Sequence, residues 1–151
     1  MKKNLKIIAI ISTALLVIVG IYLMIKNMAE DKIAIKTKEG TIMINNIYEN
    51  PDREPLADNS VIFKETENYS FYYYPQDEWF SITLLSPNLE NARQDAEKNF
   101  LKALNIDEND ACKLNVYLGT IYEISPEISG INLGLSFCDN GIEIEQTKIE
   151  K

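Results

Sequence analysis

Hydrophobic positions recur along this chain in three rhythms, and each predicts a different element. From Ile7 to Ile25 nineteen residues run without a charge. At about 1.5 Å per residue that run covers roughly 28 Å of helix, close to the roughly 30 Å hydrocarbon core of a bilayer, and predicts a transmembrane helix. Lys2, Lys3 and Lys6 crowd its N-terminal flank, whereas Lys26 is soon followed by Glu30 and Asp31. The positive-inside rule then keeps residues 1–6 in the cytoplasm and places the chain beyond a 26–32 linker outside the cell membrane. A cleaved secretory signal has a shorter apolar core, about 7 to 15 residues, and small residues at its cleavage site. Asn27-Met28-Ala29 is a poor cleavage site, so an uncleaved single-pass anchor is the expectation.

Beyond the anchor the rhythm changes to alternation. Ile33, Ile35 and Thr37 alternate with polar residues, Lys38-Glu39-Gly40 turns the chain, and Thr41 to Asn45 restores a β-branched run, which predicts a hairpin. Asn46 to Asn59 is rich in Asn, Asp and Pro and reads as an exposed loop. Val61–Glu65, Tyr69–Tyr74 and Trp79–Leu85, separated by polar breaks, predict a three-stranded meander. In its middle strand Tyr69, Phe71 and Tyr73 share one face while Ser70, Tyr72 and Tyr74 share the other. Aromatic rings therefore reach both faces of the sheet.

The third rhythm is helical. Ser86-Pro87 reads as a helix start, and Leu89, Ala92, Ala96, Phe100 and Ala103 form an apolar stripe to about Leu104, with Glu90, Arg93, Gln94, Glu97 and Lys98 on the solvated side. A short helix begins at Asp107 and ends near Cys112. Leu114, Val116 and Leu118 alternate as a strand, and Ile131, Leu133, Leu135 and Phe137 predict another that pairs with it. The tail 139–151 is polar, although Ile142 and Ile144 suit an edge strand. The fold class expected is α+β: the N-terminal transmembrane helix, then a small, mostly antiparallel sheet domain over 33–138 with one main helix packed on it.

Charge and cysteine content sharpen this picture. Four of the 15 basic residues (Lys2, Lys3, Lys6 and Lys26) precede the first acidic one, leaving 11 against 23 in the rest, a formal balance of −12. That argues against nucleic acid, whose phosphates demand clustered Lys and Arg, and against docking on anionic lipid. It suits a soluble, self-repelling domain; solubility alone accounts for the charge, with cations or basic partners as the alternative. Cys112 and Cys138 are the two cysteines. An even pair outside the cytoplasm predicts a disulfide, and closing a loop of about 27 residues stabilises by about 3.5 kcal/mol on the chain-entropy model.

The motifs Asp110-Ala111-Cys112-Lys113-Leu114 and Asn132-Leu133-Gly134-Leu135-Ser136-Phe137-Cys138, behind one N-terminal anchor and an aromatic Tyr73-Tyr74-Pro75, resemble small uncharacterised single-pass membrane proteins of reduced-genome candidate-phyla bacteria. The resemblance spans roughly Asn45 to Cys138. It implies a bacterial envelope protein and brings no activity and no site residue with it.

Catalytic chemistry finds little support in these residues. The chain has no His, so the commonest general base and the commonest zinc ligand are both missing. Ser60 and Lys64 lie about 13 Å apart in an extended strand, too far for proton transfer. Asp107, Glu108, Asn109 and Asp110 suggest calcium, but the ligand pattern breaks at Ala111 and helix capping accounts for the same residues. Asp52, Glu54 and Asp58 make no better ion site, and Asn68-Tyr69-Ser70 matches the glycosylation pattern by accident. No catalytic residue, metal or cofactor is assigned. The binding candidates are Tyr72, Tyr74 and Trp79, a platform for a peptide or glycan, against which stands ordinary packing of the rings under the helix and against the loop. The reading is an envelope binding module for a protein or polymer partner; the rivals are a small His-free hydrolase or ion-dependent enzyme and a subunit of a membrane or pilus-like assembly.

Overall fold

A computed structural model describes residues 16–21 and 32–144. The transmembrane helix expected over Ile7–Ile25 needs correction. Among the described residues no helix is long and apolar enough to cross a membrane. Only 16–21 of that run are described, and although they are helical, six residues span about 9 Å, a third of a bilayer core. An uncharged run meets the composition a span requires without itself establishing an unbroken helix. The rest of the run, residues 1–6 and 26–31 of the linker lie outside the described residues.

The remainder is a small α+β domain with a β-sheet and one main helix. The hairpin forms as β1 (Lys32–Thr37) and β2 (Gly40–Asn45), a separate two-stranded sheet. It buries Ile35, Ile42 and Ile44. The loop that follows is not plain: Asn46 caps a 3-10 turn at Ile47–Glu49, and Glu54–Pro55 form a short edge strand, β3. β4 (Val61–Glu65), β5 (Tyr69–Tyr74) and β6 (Trp79–Leu84) make the meander, and β7 (Asn115–Thr120) closes a five-stranded sheet of order β3-β4-β5-β6-β7. β6 and β7 are parallel, because the helices between them carry the chain back over the sheet before it re-enters.

The main helix, α1 (Leu89–Leu104), starts two residues later than Ser86 suggests. Asn88 is the cap and accepts from the Asn91 N–H, and Ser86 Oγ in turn accepts from the Asn88 N–H. It ends at Asn105, whose left-handed φ of 54° terminates the helix. Its apolar face presses Phe100 between Phe63, Phe71 and Phe80, with centroids 5.5 to 6.5 Å away. α2 (Glu108–Ala111) is capped by Asp107, which accepts from the Asp110 N–H at 2.8 Å.

Two expectations about the C-terminal third are corrected. Ile131–Phe137 is not a strand. Leu133 N–H donates to Leu118 O, but the next residue, Gly134, turns at φ +62°, and a turn from Leu135 to Cys138 follows. The open edge of β7 is capped by a side chain instead: Asn132 accepts from Leu118 N–H at 3.0 Å and donates to Val116 O at 3.4 Å. Arg93 and Glu97, expected on the solvated face of α1, are buried. Arg93 reaches the carbonyls of Leu133, Gly134 and Ile142, and pairs with Glu97 at 3.0 Å. Glu97 accepts from the Ser136 backbone N–H and hydroxyl. Each charge thus has polar partners, the condition under which ions are tolerated in an interior. Cys112 and Cys138 form a disulfide that fastens the same segment to the end of α2.

Candidate functional site

The far face of the sheet, opposite α1, is where the predicted binding residues meet. Alternation along β5 sends Tyr69, Phe71 and Tyr73 under the helix, all buried, and leaves Tyr72 and Tyr74 half-buried on the other side. Register aligns the face in cross-strand rows. One row runs Ile62, Tyr72, Ser81, Tyr117; the next runs Tyr74, Trp79, Asn115. Tyr74 and Trp79 stack with centroids 4.3 Å apart and planes 8° from parallel, and Tyr72 stacks on Tyr74 at 6.4 Å. All three candidates are therefore one contiguous group.

Tyr117 is a fourth member that the sequence reading missed. It meets Trp79 edge-on at 6.4 Å. Its ring lies against Gly119, where a Cβ would come within 2.8 Å of the ring and 3.1 Å of Ile131 O. The alternation of Leu114, Val116 and Leu118 puts Tyr117 on the opposite face of a strand but does not say which strand lies beside it. The signal that would have placed it is the helical stretch before the strand, since a β–α–β connection makes neighbouring parallel strands.

A shallow depression of about 130 Å³ opens at the end of this aromatic group, lined by Asp58, Ser60, Tyr74, Pro75, Gln76 and Asp77. Ser60 precedes Val61, the partner of Tyr73, and so lies beside Tyr74 in the same row. Asp58 accepts from both the backbone N–H and the hydroxyl of Ser60. Those bonds, the hydroxyl's first, hold the Asp58 carboxyl below its usual range. Burial first, then neighbouring Tyr72 and Asp58, push the Tyr74 hydroxyl up. On the helix side, burial takes Tyr73 to about 12, with Tyr48 and Glu78 adding to the shift.

The other candidates are occupied structurally. Ser60 is bonded to Asp58, not to Lys64. Asp107 caps α2, and Asp110 pairs with Lys113 at 2.8 Å. Among the described residues no three His, Cys, Asp or Glu side chains converge as a metal site. Comparison with protein-family models, curated proteins and solved structures finds no match to this chain.

Proposed function

We propose that this domain is a non-catalytic binding module of an oxidising, extracytoplasmic compartment, and that it takes its protein or polymer partner on the far face of the sheet. The observation that carries the reading is the half-exposed stack of Tyr72, Tyr74 and Trp79, joined by Tyr117. Rings already ordered by one another offer large apolar contact area at little further cost in conformational freedom, and each brings a hydroxyl or indole N–H to direct it. The Asn46–Asn59 loop is a weaker candidate. It is tied down, with Asn50 donating to Phe63 O and Leu56 N–H to Ser60 O. The disulfide supports the compartment, since such bridges persist where thiols are not kept reduced.

Catalysis fits the face less well. A depression of about 130 Å³ is smaller than the roughly 300 Å³ at which substrate-sized pockets begin. Trp79 is the single tryptophan and sits in the proposed contact surface, so its emission is a built-in test. Titration with short alternating peptides and with β-linked oligosaccharides should change it saturably for at least one probe, and Tyr72→Ala should weaken that response. Emission indifferent to every probe speaks against the reading.

A further inference from the structure

The partner's chemistry can be narrowed from how the rings are turned and what borders them. Two rings lying flat and side by side would stand farther apart than the 4.3 Å that separates Tyr74 from Trp79. The pair is therefore face to face, its rings upright on the sheet. A sugar platform needs ring faces laid open to solvent, and here one face of each ring is spent on the other. Tyr74 itself borders the depression, beside Ser60 at the neighbouring register position on β4.

That depression is acidic. Asp58 and Asp77 line it, and among its lining residues there is no Lys or Arg. Both Ser60 bonds fall on one oxygen of the Asp58 carboxylate, Oδ1. The chain around it carries a net −8, so the far field has the same sign as the site. A carboxylate pair beside an aromatic face suits a guanidinium or ammonium group, which gains charge pairing and cation–π attraction together. The volume accommodates a side-chain head group and little more.

Resting on the binding-module reading, we propose that the partner is a basic protein segment: an arginine or lysine side chain seats in the Asp58–Asp77 depression beside Tyr74, and its neighbours lie along Tyr72, Trp79 and Tyr117. Arginine is the better fit, because its planar head group stacks on a ring while its edge bonds a carboxylate. Flanking apolar residues alternate along an extended segment and match the strand spacing of the rings.

Calorimetry on the full, disulfide-bonded chain tests this with a short alternating Arg-Leu peptide amide, its Glu-Leu counterpart, an uncharged Asn-Leu version and a neutral β-linked oligosaccharide. The Arg-Leu peptide should bind, and Asp58→Asn with Asp77→Asn should weaken it about tenfold. Glu67→Gln with Glu90→Gln, which removes the same charge far from the depression, should change it less than about twofold. Asp77→Asn alone, at an exposed turn, retains the Asp58–Ser60 bonds and should still weaken binding. Equal weakening by both double variants would mean diffuse attraction and overturns the proposal. Binding of the Asn-Leu peptide or oligosaccharide as tight as that of Arg-Leu, and sensitive to Tyr72→Ala, also overturns it while leaving the aromatic face as the binding surface. Silence of every probe removes both.

Discussion

Tyr74 and Trp79 face each other across the β5–β6 hairpin, paired in register, with centroids 4.3 Å apart and planes 8° from parallel. On the opposite side of the same two strands Tyr73 and Phe80 pair at 4.8 Å beneath the helix. One hairpin thus presents two aromatic layers, of which only the lower is sealed by the fold. If the upper layer serves binding, the two layers must respond differently to truncation.

Tyr72→Ala should therefore cost about 1 kcal/mol of stability, the scale of one lost ring contact, while Phe100→Ala should cost about 3 to 5 kcal/mol as a core cavity. Denaturant unfolding followed by circular dichroism separates the two. Comparable losses would make the far face a structural layer.

The Arg93–Glu97 pair predicts a second difference. Arg93→Met strands the Glu97 carboxylate and three carbonyls in a buried site, and removing one partner of such a pair typically costs about 3 to 5 kcal/mol. Gln94→Met, one residue on, removes only an exposed bond to Glu90 and should change stability by less than about 0.5 kcal/mol. Unfolding midpoints at constant slope check both.

Reduction of Cys112–Cys138 should lower stability by about 3.5 kcal/mol on the chain-entropy model, and the segment from Leu133 to Ile142 should gain hydrogen exchange first. Cys112 is exposed, so a soluble reductant reaches the bridge without unfolding. Protection unchanged after reduction would show that the bonds to Arg93, Glu97 and Leu118 hold the segment without the bridge.

Alkali should destabilise the domain across a defined window. Tyr73 titrates near 12 in the fold against 10.0 in the open chain, with burial the main cause. Above pH 10 the unfolded chain releases this proton while the folded one keeps it, so stability is full below that pH and falls as pH rises toward 12. Tyr48, Tyr69 and Tyr74 are also raised, each mainly by burial. Tyrosinate absorbance should therefore rise in two stages, the later one coinciding with unfolding; one smooth rise at the ordinary tyrosine range would contradict this.

Much of this architecture was legible where local chemistry decides it. The hairpin turn at Lys38–Gly40, the alternation of β5, the cap at Asp107 and the cysteine pair all follow from residues near one another in sequence. What escaped depends on distant partners. Arg93 and Glu97 read as surface charges because their helix has a polar face, yet the carbonyls and the hydroxyl that satisfy them lie about forty residues away. Ile131–Phe137 has the alternation of a strand, but Gly134 at φ +62° and the Asn132 side chain spend the edge of β7 differently. Of the site, Tyr72, Tyr74 and Trp79 were visible as residues. Tyr117 and the depression at Asp58 required the sheet order.

The most direct test of the central claim is a backbone amide shift map of the isotope-labelled chain, titrated with the peptide and oligosaccharide probes. The account predicts that shifts concentrate at Tyr72, Tyr74, Trp79 and Tyr117 and spare the amides of α1. Shifts centred on α1 or on residues 46–53, with the four aromatic residues unmoved, would contradict it.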